Sequence, residues 1–425
     1  MAADSKLLKQ LENPQQVQSL DHFLPIETRT ETSISRVTID GRTIPFYVNE
    51  FWTSKQRQAS SLHEVSYRAC FKPQLPRFFI ETLTKSGDVV YDPFSGRGTS
   101  AIEAALLGRG VVANDINPLS KILGAPRLNP PNPRQVQERL SSIKVDYGAK
   151  AEIDLSMFYD RQTEAEIVSL KNYLLVRKNS GHEDFVDDWI RMVATNRLTG
   201  HSPGFFSVYT LPPNQAVAAE SQIKINQKLK QIPEYRDTKK IILRKTLQLL
   251  SRVNHEDRDR LERVAKTALF LTCDARSTPS LQPQSIRLTV TSPPFLDVVQ
   301  YSDDNWLRCW FNAIDDKAVA KKITLSRTLE DWILVMREVF GELFRLTQDG
   351  GWVAFEVGEI RSGKIKLEEH IVPVGLRSGF VCHGVVINSQ SFTKTSNIWG
   401  IRNNKLGTNT NRVVLFQKEK GILDA

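Results

Sequence analysis

A short segment near residue 290 combines groups that could hold a hydrogen-bond donor in a fixed position. The strand-like residues 288–290 are followed, after one threonine, by Ser292-Pro293-Pro294-Phe295. Because proline has no backbone N–H, neither proline can donate to a sheet, and two in succession end a strand rigidly. The segment therefore predicts a buried strand that ends in a corner with a hydroxyl group, fixed carbonyl groups and an aromatic ring. A simple strand-ending turn is the alternative.

A second segment places two glycines at a predicted strand-to-helix turn. Residues 91–100 read YDPFSGRGTS. Gly96 and Gly98 allow the backbone to bend sharply and a ligand to approach closely, and the start of the next helix directs free N–H groups at that ligand. A phosphate-binding loop would require Gly-Lys-Ser/Thr, and a dinucleotide fingerprint would require glycine where Ala101 stands. The turn therefore indicates either a different cofactor or a tight turn without a ligand.

Two acidic residues end further predicted strands and are candidates for cofactor contacts. Asp115 ends the strand in VVANDINP, and Asp274 ends the strand in LTCDAR. A carboxylate can accept two hydrogen bonds at once, so Asp115 could hold both hydroxyls of a ribose, and Asp274 could accept from an adenine amino group. Because acidic residues at strand ends also cap helices, a purely structural role is the alternative for each.

These residues require an α/β scaffold. Residues 75–84 are typical of a helix, 88–94 of a strand, 99–110 of a helix and 111–118 of a second strand, and such βαβ units build parallel sheets. The alternation stops at the Pro- and Asn-rich residues 127–135, gives way to helical periodicity, and resumes afterwards. We predict one α/β domain with a mainly helical insertion. The predicted parts are an N-terminal arm (1–44), a first catalytic part (45–126), the helical insertion (127–265) and a second catalytic part (266–425).

The composition is that of an ordinary globular protein. The 425 residues are 40% hydrophobic and 25% charged, and no run of apolar residues is long enough for a membrane span. The N-terminus is polar and lacks the apolar centre of a secretory signal. The four cysteines are scattered without a CxxC pair, which predicts reduced thiols, no metal site and a cytoplasmic location.

The positive charge is concentrated in one part of the chain. The net charge is +9 overall, and residues 191–252 hold eleven Lys or Arg but only three Asp or Glu. This excess predicts contacts with the phosphates of a nucleic acid, although a solvated helical face would look the same. Residues 197–210 add side chains that could enter a groove, unless this loop packs against the catalytic part. The candidate nucleic-acid-binding residues are Arg197, His201, Lys224, Lys228, Lys239, Lys240, Arg244 and Lys245.

Taken in order, the motifs DPFSGRGT, NDINP, DAR and TSPPF resemble those of the amino-methylating, S-adenosylmethionine-dependent DNA methyltransferases. Residues 66–88 resemble the remaining cofactor motif of this family, and residues 410–418 resemble its closing strand. The resemblance covers roughly residues 60–125 and 265–418. It implies a Rossmann-like methyltransferase sheet, mostly parallel with an antiparallel strand. It also implies transfer of a methyl group from S-adenosylmethionine to N4 of cytosine or N6 of adenine.

The same resemblance implies roles for individual residues. The glycine turn and Asp115 would hold the cofactor, Asp274 would contact its adenine, and the Ser-Pro-Pro-Phe loop would hold a base that has left the double helix. The implied catalytic residues are Ser292, Pro293, Pro294 and Phe295. The implied cofactor-binding residues are Phe71, Lys72, Asp92, Pro93, Phe94, Gly96, Gly98, Thr99, Asp115, Ile116, Asp274 and Ala275.

The Ser-Pro-Pro-Phe corner suits methylation of an exocyclic amine. Such an amine is a poor nucleophile, because its lone pair is delocalised into the aromatic ring. Hydrogen bonds from its two N–H groups to Ser292 Oγ and to the Pro293 carbonyl favour a pyramidal nitrogen with its lone pair directed at the methyl group. Phe295 offers a flat face on which the extruded base can stack. Positioning would then supply most of the rate enhancement.

The loop sequence also favours one target base. Ser-Pro-Pro-Phe resembles the cytosine-N4 group, whereas adenine-N6 enzymes more often carry Asp-Pro-Pro-Tyr. A cytosine-C5 enzyme would need a cysteine nucleophile, typically after proline, and no cysteine here follows a proline. We therefore expect a site-specific methyltransferase that forms N4-methylcytosine in double-stranded DNA at the nucleoid, and a restriction endonuclease could accompany it. The alternatives are an adenine-N6 DNA methyltransferase, an RNA amino-methyltransferase and a non-catalytic nucleic-acid-binding protein.

Overall fold

The computed structural model describes residues 32–52, 59–68, 70–211, 216–294, 301–323, 328–360, 365–389 and 410–419. Its strands are β1 (Ser33–Ile39), β2 (Arg42–Asn49), β3 (Val89–Asp92), β4 (Gly110–Asn114), β5 (Leu269–Leu271), β6 (Ile286–Thr291), β7 (Thr347–Val357), β8 (Glu359–Ile360), β9 (Ile365–Lys366), β10 (Val381–Ser389) and β11 (Thr410–Gln417). Its α-helices are α1 (Gln74–Leu83), α2 (Thr99–Leu106), α3 (Leu119–Gly124), α4 (Pro133–Ser142), α5 (Arg161–Asn179), α6 (Phe185–Arg197), α7 (Ala219–Leu229), α8 (Thr238–Leu250), α9 (His255–Ala265), α10 (Tyr301–Phe311), α11 (Asp316–Lys322), α12 (Leu329–Leu346) and α13 (Glu368–Arg377). Short 3₁₀ helices form at Ser61–His63 and Ala125–Leu128.

Nine of the described strands form one sheet in the order β1-β2-β10-β11-β7-β6-β3-β4-β5. The neighbours from β7 to β5 are all parallel, whereas β11 is antiparallel to both β10 and β7. From β3 the chain proceeds outwards to β4 and β5, and it then returns to form β6 beside β3 and proceeds in the other direction to β7. This reversal between β3 and β6 is the topological switch point of a Rossmann-like α/β fold. The predicted α/β class, with a mostly parallel sheet and an antiparallel strand, is confirmed.

The two faces of the sheet are covered by different helices. On one face, α12 buries residues at helical spacing, among them Trp332, Met336 and Phe340. The ring of Phe340 lies 4.9 Å from that of Phe355 in β7 and 5.3 Å from that of Phe416 in β11. An amphipathic helix of this kind stabilises the fold by removing one continuous apolar stripe from water.

On the opposite face, helices α4 to α9 of the predicted insertion share one hydrophobic core with α1 and α2. Trp189 of α6 is fully buried in this core, and its Nε1 donates to Thr246 Oγ1 of α8 at 3.0 Å. Helix α9 packs against α2, and α8 packs against the 3₁₀ helix Ser61–His63. Residues between α6 and α7 also turn inwards, since Phe205 and Phe206 are buried. Much of the insertion therefore shares one hydrophobic core with the sheet.

The N-terminal strands extend the sheet. β1 and β2 form an antiparallel hairpin, and β2 pairs in parallel with β10. The boundary predicted after residue 44 falls inside β2, so the described part of the predicted arm belongs to the sheet. The first 31 residues of that arm lie outside the described residues. None of the described helices is both long enough and apolar enough to cross a membrane.

Candidate active site

The candidate site lies at the carboxyl edge of the sheet, on both sides of the switch point between β3 and β6. Strands β4, β3, β6 and β7 are neighbours, and their carboxyl ends carry Asp115, Asp92, Ser292 and Glu356. Because alternate side chains of a strand share a face, Asp92 lies on the same face as Val90, and Glu356 lies on the same face as Ala354, toward the core formed with α1 and α2; Asp115 and Ser292 directly follow their strands. Open α/β sheets bind their ligands at this position.

Asp92 connects the glycine turn to the strand that leads into the Ser-Pro-Pro corner. Its carboxylate accepts from Ser100 Oγ at 2.7 Å, from Thr291 Oγ1 at 2.6 Å and from the Phe94 N–H at 3.1 Å. Burial raises the pKa of Asp92 to about 6, because the three hydrogen bonds only partly offset the loss of hydration. One buried carboxylate therefore fixes the distance between the two motifs that the sequence singled out.

The glycine turn needs its glycines for geometry. Gly96 and Gly98 have φ values of 52° and 81°, a region that other residues rarely adopt. A Cβ atom on Gly98 would lie 3.1 Å from the Gly124 Cα, and one on Gly96 would lie 3.5 Å from Cys70 Sγ. Ser95 Oγ is buried in this turn and has no hydrogen-bond partner among the described residues. The turn therefore presents an unused polar group at a site where the backbone allows close approach.

Asp115 lies beside the same turn. Its carboxylate accepts from the Gly96 N–H at 2.8 Å and from the Asn117 N–H at 2.9 Å. Burial raises the pKa of Asp115 to about 6, since the two backbone donors compensate only in part. Asn114 fixes the adjacent strand, because its side chain both accepts from the Cys273 N–H and donates to the Cys273 carbonyl. A carboxylate held in this way has lone pairs available for further donors.

The other predicted residues of the turn surround it at different depths. The Pro93 carbonyl accepts from Asn114 Nδ2 at 3.3 Å, and buried Thr99 begins α2. Phe94 and Ala275 pack against the α12 side of the sheet. Ile116 is half-buried next to Asp115.

Asp274 is already occupied by a neighbouring side chain. Its carboxylate accepts from the backbone N–H of Arg276 at 2.9 Å and from Arg276 Nη2 at 2.6 Å, which lowers its pKa. Arg276 also pairs with Glu338 at 3.2 Å. Arg276, the last residue of the DAR motif, therefore occupies part of the acceptor capacity of Asp274, and a contact between Asp274 and an adenine amino group stays a prediction.

Residues 61–68 and 70–72 run alongside the glycine turn and include the predicted Phe71 and Lys72. Tyr67 and Cys70 of this segment are the groups that a Cβ on Gly96 would meet. Arg97 of the turn donates to the Val65 carbonyl at 2.7 Å, and partial burial lowers the pKa of Lys72. The structure therefore brings the predicted upstream motif and the glycine turn together.

The Ser-Pro-Pro corner contacts an acidic residue that the sequence analysis did not identify. Glu356 of β7 is 8% exposed, accepts from Asn411 Nδ2 at 2.6 Å and is hydrogen-bonded to the Ser292 side chain. Burial raises the pKa of Glu356 to about 7. Trp332 Nε1 donates to the Pro294 carbonyl at 3.0 Å and so fixes the corner from the α12 side. The signal in the sequence was a single glutamate within the hydrophobic strand WVAFEV.

Part of the predicted catalytic loop cannot be placed, because Phe295 lies outside the described residues. The corner itself is described as far as Pro294. Stacking of a base on Phe295 stays a prediction.

The predicted nucleic-acid-binding residues fall into three groups: half-buried, buried and exposed. Lys239 is half-buried and donates to the Ile143 carbonyl at 2.5 Å. Arg197 is buried under the Phe205 ring, 3.9 Å from its centroid, and Lys245 is buried beside Gln248. The expectation of exposed cations is therefore corrected for Arg197 and Lys245. Burial, together with a neighbouring arginine in each case, lowers the pKa of Arg197 to about 9 and that of Lys245 to about 8. The exposed members are His201, Lys224, Lys228, Lys240 and Arg244.

Known proteins resemble parts of this chain. Residues 25–121 match the model of a family described as DNA methylase. The type II methyltransferase M.MvaI of Kocuria varians is 35% identical over 81 residues, which are 18% of each chain. M.MjaII of Methanocaldococcus jannaschii is 28% identical over 76 residues, which are 18% of this chain and 14% of that protein. The chain thus spans less than a fifth of the length of the curated relatives it matches.

Similarity to solved structures extends over more of the chain but is low. An S-adenosylmethionine-dependent methyltransferase of Methanosarcina mazei is 8% identical to this chain in sequence, and the two structures match with a TM-score of 0.29. That match covers 80% of this chain and 97% of that chain. The assignment of the fold above rests on the strand order of the sheet itself.

Proposed function

We propose that this protein is a DNA methyltransferase that transfers the methyl group of S-adenosylmethionine to the exocyclic N4 of a cytosine extruded from double-stranded DNA. The observation that carries the proposal is the bridge made by Asp92, which binds Ser100 beyond the glycine turn and Thr291 before the Ser-Pro-Pro corner. The glycine turn, proposed to bind the cofactor, and the Ser-Pro-Pro corner, proposed to bind the target base, are thereby linked through one carboxylate. The match of residues 25–121 to the DNA methylase family supports the same conclusion.

The residues at the switch point fit S-adenosylmethionine. The half-buried Asp115 carboxylate and the Ser95 hydroxyl, which has no hydrogen-bond partner among the described residues, are suited to the hydroxyl and amino groups of such a molecule. The residues proposed to hold it are Phe71, Lys72, Asp92, Pro93, Phe94, Gly96, Gly98, Thr99, Asp115, Ile116, Asp274 and Ala275. When bound, the cofactor supplies an electrophilic methyl group on a sulfonium, so no covalent enzyme intermediate is needed.

The acceptor corner would orient the target amine. Ser292 Oγ accepts one N–H of the extruded base, and the Pro293 carbonyl accepts the other. Because Ser292 can donate its own hydroxyl hydrogen to the Glu356 carboxylate, its lone pairs remain directed at the base. The negative charge of Glu356 also strengthens Ser292 as an acceptor, which compensates for the absence of an aspartate at this position.

Glu356 would also receive the proton that the reaction releases. An amine that gains a methyl group must lose one proton to return to neutrality. Ser292 can take that proton from the nitrogen while it passes its own hydroxyl proton to Glu356. Burial raises the pKa of Glu356 to about 7, which suits a group that must accept a proton near neutral pH.

Exposed cations of the insertion would hold the DNA backbone. Lys224, Lys228, Lys240 and Arg244 are exposed on α7 and α8. Phosphate contacts of this kind give affinity without sequence preference and weaken steeply with salt. In the cell such an enzyme would act on nucleoid DNA, and a restriction endonuclease could recognise the same sequence.

Mass spectrometry of nucleosides tests the proposal. Double-stranded DNA and RNA are incubated separately with the protein and methyl-labelled S-adenosylmethionine, and the polymers are then digested. We expect labelled N4-methylcytosine from DNA only. Labelled N6-methyladenine would assign the protein to the adenine-N6 enzymes. Label confined to RNA would show that RNA, not DNA, is the substrate. Cofactor binding without any labelled nucleoside would support the non-catalytic nucleic-acid-binding alternative.

Cofactor affinity should depend on pH through Asp115. The pKa of Asp115 is raised to about 6, so the carboxylate becomes protonated as the pH falls below that value and loses acceptor capacity for the ribose hydroxyls. We expect the dissociation constant, measured by calorimetry from pH 8 to pH 5, to rise up to about tenfold per pH unit below pH 6. In Asp115→Asn the affinity should be weak and nearly independent of pH. A wild-type affinity that stays constant down to pH 5 would rule out Asp115 as the ribose acceptor.

A further inference from the structure

A fully buried arginine lies directly beneath the glycine turn. Arg127 is 0% exposed. Its Nε donates to the Leu123 carbonyl at 2.8 Å, its Nη1 donates to the Leu62 carbonyl at 2.9 Å, and its Nη2 donates to the Arg97 carbonyl. These partners in the described part of the chain are backbone carbonyls, not carboxylates. Three of the five N–H groups of Arg127 are therefore occupied, while no carboxylate among the described residues forms an ion pair with it.

The side chain of Arg97 adds a second cation at the same place. It donates to the His63 and Val65 carbonyls at 3.2 and 2.7 Å. Glu103, an acid close to this segment, is bound to His63 at 2.6 Å and to Arg77 at 3.2 Å. Burial and the neighbouring Arg97 lower the pKa of Arg127 to about 9. This side of the glycine turn is therefore short of negative charge.

The start of α2 contributes a field of the same sign. Helix α2 begins at Thr99, and its first N–H groups carry partial positive charge. A Cβ on Gly98 would lie 3.7 Å from Arg127 Nη2, which places the guanidinium under this helix start. Two sources of positive potential therefore meet on the Gly98 side of the turn.

The Gly96 end of the turn carries a negative group. The Asp115 carboxylate, which directly follows β4, accepts from the Gly96 N–H and suits the ribose of the proposed cofactor. A carboxylate of the ligand would be repelled from Asp115 and attracted toward Arg127. The turn therefore separates a site for uncharged hydroxyl groups from a site for an anion.

We propose that Arg127 supplies the charge that selects the carboxylate at the amino-acid end of S-adenosylmethionine, in addition to positioning the turn. This inference rests on the function proposed above. A guanidinium whose only task was to join three carbonyls would bear the cost of an uncompensated buried charge in every state of the protein. With the cofactor bound, the carboxylate becomes the missing counter-charge.

Two ligands that differ only in the carboxylate test this proposal. S-adenosylhomocysteine carries it, and decarboxylated S-adenosylhomocysteine does not. The readout is the ratio of their dissociation constants, measured by calorimetry without turnover. For the wild-type protein we expect the carboxylate to improve affinity about tenfold to 100-fold. In Arg127→Met this ratio should fall to below about threefold, since the charge that favours the carboxylate is lost and any effect of the lost hydrogen bonds is common to both ligands.

A matched variant controls for the loss of a buried arginine. Arg191 of the insertion is 4% exposed, donates to the Leu174 carbonyl at 3.0 Å and pairs with Glu183. Arg191→Met should lower thermal stability but leave the ratio of affinities at its wild-type value. If Arg127→Met fails to fold, Arg127→Lys decides, because it keeps the charge and loses the fork of hydrogen bonds. Its ratio should stay within about threefold of wild type.

The outcomes separate the two proposals. If neither ligand binds the wild-type protein, the proposed function itself is contradicted. If both bind with equal affinity, only the role of Arg127 is contradicted. If both affinities fall together in Arg127→Met and the ratio is kept, or if the ratio collapses in Arg127→Lys, Arg127 is a purely structural residue.

Discussion

Ser292→Ala should lower turnover about 10²- to 10³-fold while it leaves the affinity for S-adenosylmethionine nearly unchanged. Ser292 contacts Glu356 at the acceptor corner, whereas Asp115 and the glycine turn lie beyond Asp92 on neighbouring strands. The lost hydroxyl would therefore act on the bound base and not on the cofactor. Single-turnover kinetics with a DNA substrate and calorimetry with S-adenosylmethionine measure the two quantities separately.

A serine at the other end of the same strand provides the control. Ser285 precedes β6, is half-buried, and donates to the Gln282 carbonyl at 2.6 Å. Ser285→Ala should change neither turnover nor cofactor affinity. If Ser292→Ala instead abolished cofactor binding with turnover falling only in proportion, the corner would belong to the cofactor site and the assigned roles would be wrong.

Glu356→Gln should lower turnover about 100-fold and remove a step from the pH profile. The wild-type rate should rise as the pH increases through about 7, because the ionised carboxylate is the form that accepts a proton. Glutamine keeps the size of the side chain but cannot take a proton at any working pH. The measurement is the single-turnover rate from pH 5.5 to pH 9 for both proteins.

The same substitution should increase stability. The pKa of Glu356 is raised from 4.5 to about 7 in the folded protein, so the folded state favours the protonated form. That contribution is fully present below pH 4.5 and is lost as the pH rises through 7, at a cost of about 3 kcal/mol above pH 8. Glutamine resembles the protonated form at all pH values, so Glu356→Gln should be more stable than wild type above pH 8 in urea denaturation.

A second buried glutamate, Glu368, provides a control for Glu356→Gln, because its role is structural. Glu368 is 0% exposed and pairs with Arg412 at 2.6 Å. Glu368→Gln should lower stability and leave the rate per folded molecule unchanged. A Glu356→Gln protein that kept full turnover above pH 8 would contradict the proposed proton transfer, whatever its stability.

The backbone conformation of the two motifs could be predicted from local sequence, because their glycines and prolines restrict the backbone. Gly96 and Gly98 adopt positive φ values, and Pro293 and Pro294 end β6, as the residue types required. The alternation of strand and helix also predicted parallel pairing. From these rules the meeting of the two motifs at one edge followed without any knowledge of side-chain contacts.

Contacts between distant residues could not be predicted in this way. Glu356 reaches Ser292 only because β7 pairs with β6 in a register that sets Phe355 beside Thr291. Nothing in the sequence fixes that register. Arg127 likewise joins segments 65 and 30 residues away, and its burial depends on both.

The charge pattern gave an incomplete picture of the insertion. The clustered cations were expected to be exposed on the surface, and Lys224 and Lys228 are exposed. Arg197 and Lys245 carry the same charge but are covered by Phe205 and by the packing of α8. Periodicity predicted the helices, whereas their depth depends on which helices pack together.

The shared core of the insertion has a consequence for how this protein could be redesigned. Trp189, Ile190 and Ile242 of the insertion pack in one core with Phe79 and Ile102 from outside it. If this segment were exchanged for that of another protein, Phe79 and Ile102 would lose the side chains that pack against them. Point substitutions on the exposed surface of α7 and α8 should therefore be tolerated better than exchange of the entire segment.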